Sequence, residues 1–290
     1  MKQKIAIIFT CFNRKYQSLQ CIHSLISQNK NFDLSFYICD DASTDGTVEA
    51  IKAAYPSVNI VLGSGNLYWC KGMYRAMSMA VKEYHDFYLM VNDDVDFYID
   101  AIDTLLDTYK KVGGNCGIVG MTISKLSGNI TYGGRKTIPF KIGNRTFGVR
   151  TNVLITPEDN TEIRKCDFAN WNCFLIDAEV IDKVGLISNK YAHSLGDFDY
   201  SYRMKQAGFN IFIAPKPIGF CERNEMKNTY YDGKCPRKKR IEQLLGPKGL
   251  PVGTQFRYEI RVNGVFGILI SCWRYFQYFK CIILRKNIGN

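Results

Sequence analysis

Short apolar runs alternate with stretches of helical periodicity along most of the chain. The runs at 4–10, 34–39, 58–62, 87–91 and 117–121 show little polar alternation, the pattern of strands buried on both faces of a parallel sheet. Between them, 16–28, 47–54, 69–83 and 101–110 have helical character; Leu19, Ile22, Leu25 and Ile26 mark one face of the first. This alternation predicts an α/β fold with a mostly parallel central sheet and right-handed crossovers. Beyond 121 the pattern changes. Residues 127–160 are rich in Gly, Thr and Asn, with short alternating stretches such as 146–155, and predict hairpins and loops. A strand at 168–176, a helix at 178–184, a helix at 197–206 stopped by Gly208 and a strand at 211–214 follow. Residues 222–248 are polar and basic, and 255–285 are aromatic and apolar with interspersed cations. The expected organisation is one α/β domain over 1–220 and a basic C-terminal extension over 221–290.

The ends of the predicted strands carry acids. The run 87–91 goes straight into Asn92, Asp93 and Asp94; the run 34–39 ends in Asp40 and Asp41; Asp197 and Asp199 open a late helix. In open α/β sheets ligands bind just outside the carboxyl ends of the strands. Crowded carboxylates repel one another unless a cation joins them, and Mg²⁺ or Mn²⁺ suits oxygen donors. The plainer reading is that these acids cap helices. Neither a Gly-x-Gly-x-x-Gly turn nor a phosphate-loop Gly-Lys-Ser/Thr is present, which counts against dinucleotide oxidoreductases and P-loop enzymes.

Apolar content of 46% and charge of 22% are those of a folded globular protein. The net charge of +11 points to an anionic partner. The eleven cysteines form no Cys-x-x-Cys pair, and several lie in apolar runs, as expected of reduced thiols in a cytoplasmic protein. The sequence shows no signal-peptide pattern and no apolar run of about 18 residues that would span a membrane.

Five segments, in this order and spacing, change the picture: Thr10-Cys11-Phe12-Asn13-Arg14, Asp40-Asp41-Ala42-Ser43-Thr44-Asp45-Gly46-Thr47, Gly65-Asn66-Leu67, Asn92-Asp93-Asp94 and Gly196-Asp197-Phe198-Asp199-Tyr200-Ser201-Tyr202-Arg203. With them the chain resembles a family 2 glycosyltransferase of GT-A fold, of the rhamnosyltransferase-like, surface-polysaccharide type, over about 4–215. The resemblance implies a nucleotide-sugar donor held by Thr10, Phe12, Asn13, Asp40, Asp41, Asn66, Asn92 and Asp93, with Asp40 shaping the turn. It implies Mg²⁺ or Mn²⁺ on Asp94, the last acid of an Asp-x-Asp-type motif. Asp197 takes the place of the general base of an inverting displacement, with Asp199 as the fallback. Trp171 and Asn172 are candidates for sugar or acceptor contact. Three departures stand out. Asn92 replaces the usual first Asp, Gly196 replaces a Glu, and 219–224 holds no His to ligate the metal, leaving Cys221 or Glu222 as substitutes.

The resemblance further implies a glycan or lipid-linked glycan acceptor in bacterial lipopolysaccharide, O-antigen or capsule assembly. Residues 264–284 read either as an interfacial helix making a peripheral inner-membrane contact on the cytoplasmic side, or as a helix packed on the sheet's flank. A nucleotidyltransferase would carry a Gly-rich signature with a cation after the first strand, which 10–14 lacks. A degenerate sugar-nucleotide-binding scaffold is the non-catalytic alternative. No nucleic-acid partner is expected, because the strand-end acids repel phosphate.

Overall fold

The structure, a computed structural model, describes residues 2–28, 32–155 and 161–288. Strand β1 (Gln3–Cys11) lies inside the main sheet, parallel to β2 (Phe32–Asp40) on one side and to β4 (Phe87–Val91) on the other. β3 (Asn59–Leu62) continues the parallel order beyond β2. Side chains of a strand alternate between faces, and both faces here are covered by helices. Ala6 and Ile8 of β1 meet Met73 and Met77 of α3 (Tyr68–Ala80). Ile5, Ile7 and Phe9 meet Ile22 and Leu25 of α1 (Lys15–Ile26) and Leu105 of α4 (Ala101–Lys111). The short α2 (Thr47–Ala54) follows β2. These elements answer the sequence pattern closely.

The second half departs from it in three places. The single strand expected over 168–176 is two: β11 (Phe168–Ala169) and β12 (Cys173–Asp177), in different sheets. β12 inserts antiparallel between β4 and β6 (Cys116–Ile123). The strand expected over 211–214 is β13 (Asn210–Phe220), which runs on through Pro215 and Pro217. Its register against β6 shifts between Ile213 and Pro217 and again before Gly219, because proline offers no N–H to the ladder. Beyond β12 and β13 the main sheet gains β5 (Asp96–Phe97), β7 (Ile130–Tyr132) and β10 (Arg164–Cys166). The expected hairpin region forms β8 (Gly134–Ile142) and β9 (Arg145–Leu154), an antiparallel pair that builds the second sheet with β11. Residues 156–160, the end of that expectation, lie outside the described residues. Two helices, α5 (Ala178–Val184) and α6 (Gly196–Gln206), complete this half.

Residues 221–288 form α7 (Arg237–Leu245), α8 (Val252–Asn263) and α9 (Phe266–Ile283). They pack onto the α/β part: Tyr258 joins the core beside α6, and Asn263 both accepts from Val149 N (2.7 Å) and donates to Val149 O (3.1 Å). Among the described residues no helix is long and apolar enough to cross a membrane. α9 buries Ile270 and Tyr275 on one side and exposes Leu269, Trp273 and Phe276 on the other, so its inner face packs while its outer face stays apolar and open. Arg240 is fully buried and donates to Tyr230 O (3.0 Å), Cys281 O (3.4 Å) and Lys286 O (2.8 Å). That guanidinium ties the end of the chain to α7. Arg240→Met leaves these carbonyls short of a donor, at a cost of roughly 1–3 kcal/mol for each one left unpaired. Expected are a lower melting temperature and protease cleavage starting within 221–288; a wild-type melting and cleavage pattern would count against this role.

Candidate active site

The carboxyl ends of β1, β2, β3 and β4 converge with the start of α6. Backbone strain is concentrated there. Among the described residues seven non-glycine positions have positive φ, and four of them, Asn13 (51°), Ala42 (64°), Tyr68 (57°) and Leu195 (70°), lie in the loops of this edge. Such conformations persist where surrounding contacts over-determine them, and they cluster at functional sites.

Asp41 is one source of that constraint. It is buried, and its carboxylate accepts from the backbone N–H groups of Gly65 (2.8 Å), Leu67 (2.8 Å) and Tyr68 (3.0 Å). It thereby fixes the loop between β3 and α3, including the exposed Asn66. Asp40 accepts from Ser43 N at 2.8 Å and shapes its own turn. Asn13 accepts from Thr44 N at 2.7 Å and donates its own N–H to Ser43 Oγ at 2.8 Å, which locks the loop after β1 onto the loop after β2. Thr10 donates to Cys39 O, and its side chain lies so close to Gly72 that a Cβ there would fall 2.2 Å from Thr10 Oγ1. Phe12 stands half-exposed at the rim, available for stacking.

The acids after β4 meet a cation that the sequence did not flag. Arg14 Nη1 lies 3.2 Å from Asp93 Oδ1 and 2.7 Å from Asp94 Oδ2. Asp93 is 7% exposed, and burial pushes its carboxyl up to about 7, although Arg14 pulls the other way. Its second oxygen is buried without a partner. Asp94 is more open, and its other oxygen accepts from the Cys221 thiol at 3.5 Å. Of the two substitutes expected for a missing His, Cys221 therefore reaches the acids, while Glu222 turns away to accept from Lys125 N. Asn92 uses its side-chain oxygen to accept from Trp69 Nε1 at 2.9 Å. Two carboxylates against one guanidinium, one oxygen of them unpartnered, fit a divalent cation. Yet among the described residues no three His, Cys, Asp or Glu side chains gather around one point, so the protein offers the acid pair and little else as ligand.

Asp197 sits in the first turn of α6, half-buried, and accepts from Phe198 N at 2.9 Å. Burial pushes its carboxyl up to about 6, opposed by that N–H, by Arg135 and by Asn170. A carboxylate ionising near neutrality suits proton abstraction. Gly196 in place of Glu has a steric cause, since a Cβ there would lie 2.3 Å from Cys70 Sγ.

Two expectations need correction. Asp199 is fully buried; it accepts from Tyr191 Oη (2.9 Å) and pairs with Arg203 (3.1 Å) and Arg261 (2.9 Å). Its two oxygens are held by α6, α8 and the loop between α5 and α6, so it clamps elements together and presents nothing to a substrate. Trp171 is 1% exposed, stacked on Phe174 and edge-on to Trp69 and Tyr200. It is a core residue beneath the site, and its neighbour Asn172 is buried with its amide on Cys221 Sγ. The ring nearer the site is the half-buried Trp69.

The sequence profile described as Glycosyl transferase family 2 matches residues 6–185, more than half of the chain. The chain belongs to glycosyl transferase family 2. It is 30% identical over 111 residues to "Chondroitin synthase" of Escherichia coli, covering 37% of this chain and 15% of that protein. It is 32% identical over 100 residues to "dTDP-rhamnosyl transferase RfbG" of Shigella flexneri, covering 33% of this chain and 34% of that protein. Both curated relatives are thus matched over a minor part of their length. Solved structures extend the likeness to the whole fold. The crystal structure of GalNAc-T7 with UDP, GalNAc and Mn²⁺ superposes with a TM-score of 0.57 at 16% identity, covering 98% of this chain and 56% of that one. The mannosyltransferase PcManGT from Pyrobaculum calidifontis, in complex with GDP-Man and Mn²⁺, gives 0.56 at 11% identity, covering 98% and 74%. The fold of this family 2 glycosyltransferase is GT-A.

The site residues missed from sequence are Arg14, Trp69, Arg135 and Asn170. Arg14 lay within a quoted motif, and an arginine after a strand, facing acids after a neighbouring one, was the available signal. The role of Asp41 can be checked directly. Asp41→Ala removes three charge-assisted bonds to the 65–68 loop and should lower unfolding stability by about 3 kcal/mol. Chemical denaturation measures it, and a loss under about 0.5 kcal/mol would show that the loop is held otherwise.

Proposed function

We propose that this protein is an inverting glycosyltransferase that moves a hexosyl or deoxyhexosyl group from a nucleotide-sugar donor to a hydroxyl of a glycan or lipid-linked glycan in bacterial surface-polysaccharide synthesis. The observation that carries this reading is the pairing of the Asp93/Asp94 cluster at the end of β4 with a half-buried Asp197 ionising near neutrality, on the same edge of the sheet. The acceptor and donor settings are supported by the matches to the rhamnosyl transferase and the chondroitin synthase.

In this reading the base and ribose of the donor lie over Thr10, Phe12 and the 65–68 loop braced by Asp41. Asp94, with Asp93 behind it and Arg14 bridging both acids, would hold Mg²⁺ or Mn²⁺. A bound cation supplies positive charge toward the departing nucleoside diphosphate. Asp197 takes the proton of the acceptor hydroxyl as its oxygen bonds to the anomeric carbon. The bond from that carbon to the diphosphate breaks on the opposite face, and its electron pair leaves with the phosphate. Asn170 and Arg135 favour the ionised form of Asp197.

The C-terminal extension, 221–290, makes the membrane contact in this proposal. Residues 221–290 hold fourteen Lys and Arg against five Asp and Glu, and the outer face of α9 exposes Trp273 (48%) and Phe276 (58%). Apolar anchors beside cations suit the surface of an anionic bilayer from the cytoplasmic side.

Two measurements follow. The acid limb of kcat/KM should lie near pH 6, with activity falling below it as Asp197 takes up a proton. Asn170→Ala removes a group that favours the ionised form, so the limb should move to higher pH. Asp197→Asn should lower kcat by about 10²–10⁴-fold while leaving nucleotide binding intact. A limb that stays in place in Asn170→Ala, or an Asp197→Asn enzyme of near-normal rate, rules against this base. For the membrane, the double variant Trp273→Ser, Phe276→Ser should lose sedimentation with phosphatidylserine vesicles at unchanged melting temperature. Undiminished sedimentation would place the contact elsewhere.

A further inference from the structure

Two arginines of the cleft make no direct ion pair among the described residues. Arg135, at the start of β8, is half-buried and donates Nε–H to Asn170 Oδ1 at 3.0 Å. Arg223, just beyond β13, donates Nε–H to Thr131 O at 3.1 Å. Among the described residues neither has an ion-pair partner, and the two terminal amino groups of each guanidinium make no protein hydrogen bond. Elsewhere near the site the chain pairs its guanidiniums: Arg14 with Asp93 and Asp94, Arg203 and Arg261 with Asp199.

The two tethers place both cations on one wall. Thr131 and Arg135 flank the turn at Gly133, and Gly133 O accepts from Asn170 N at 3.1 Å. Arg223 follows Cys221 by two residues, and Cys221 Sγ touches Asp94. Arg135 faces Asp197 across Asn170 and is close enough to Arg223 for the two charges to oppose each other. The wall therefore runs from the acid pair to the base, with open N–H forks along it. A pair of guanidinium forks whose terminal N–H groups are unengaged is a receptor for an oxyanion, since guanidinium matches phosphate in charge and in planar geometry.

We propose that Arg135 and Arg223 form a guanidinium clamp for the diphosphate of the donor. This rests on the nucleotide-sugar reading above and deepens it. When the bond between the anomeric carbon and the phosphate oxygen breaks, the electron pair stays on that oxygen, and the clamp supplies fixed positive charge there. The motif lacks the carboxylate of its usual first position, because Asn92 stands there and gives its oxygen to Trp69. The wall thus carries part of the neutralisation that would otherwise fall to a divalent cation.

The test is calorimetric titration of the full chain with UDP, GDP and dTDP and with the matching nucleosides, in EDTA and in Mn²⁺. The nucleoside diphosphate that binds in Mn²⁺ should still bind in EDTA. Arg223→Gln and Arg135→Gln should each weaken the EDTA binding by about tenfold or more, Arg223→Lys by less, with nucleoside affinity unchanged. Arg223 is exposed, so its substitution leaves the fold in place and keeps the test valid should Arg135→Gln prove unstable. Binding in Mn²⁺ that vanishes in EDTA, or that neither variant weakens, overturns the clamp and leaves the transferase reading standing. No diphosphate binding under either condition overturns both.

Discussion

Two carboxylates crowded at the end of a fully buried strand are the constraint around which this cleft is arranged. β4 delivers Asp93 and Asp94 to the edge of the sheet, where burial raises the cost of the charge on Asp93. Arg14, from the loop after β1, answers both with one amino group. Removing Arg14 would be costly because the buried charge of Asp93 is then left uncompensated. The ion pairs therefore hold the end of β1 against the end of β4. The bonds of Asn13 to 43–44 then hold the end of β2 against β1. Asp41, at the end of β2, holds the loop after β3. Each strand end is tied to the next through a side chain that has no role in the sheet itself.

The first half of the fold was legible because its signals are local. Buried parallel strands write continuous apolar runs, and their crossover helices write a clear period, so β1 to β4 and α1 to α4 fall where the pattern put them. The second half was less legible because its shape is set by long-range pairing. Nothing in 168–176 says that Phe168 and Cys173 belong to different sheets. That split follows from β12 entering between β4 and β6, which also closes the core over Trp171. Flanked by Asn170 and Asn172, the tryptophan reads as a loop residue by its neighbours and as a core residue by its packing. Pro215 and Pro217 gave a second false ending, since a strand can tolerate proline where its register shifts.

The site shows the same division. The acids were found by their position at strand ends, a rule of fold topology. The local pattern did not separate Asp197 from Asp199, because both lie in one helical turn and suit a helix start equally; the family resemblance alone put Asp197 first. Two residues apart on a helix, they face different ways: Asp197 toward Asn170 and Arg135, Asp199 toward Tyr191, Arg203 and Arg261. Arg261 lies about 60 residues further on, and no local pattern announces it.

That distant partner bears on how the extension relates to the site. Asp199 sits one half-turn from Asp197 on α6, fully buried, and one of its cations comes from α8. Without α8 this carboxylate would keep Arg203 and the Tyr191 hydroxyl but lose a charge partner in a place water does not reach, an arrangement that disfavours the present seat of α6. Tyr258 on the same helix fills the core beside Met204 and Tyr200 of α6. The extension is thus part of the support for α6 as well as the bearer of an exposed apolar face. α9 is linked to α8 by Arg274 and Glu259, at 3.3 Å, and α8 to α6 by Arg261 and Asp199, at 2.9 Å. The last two helices and α6 are therefore joined in this chain by two ion pairs whose carboxylates are both buried.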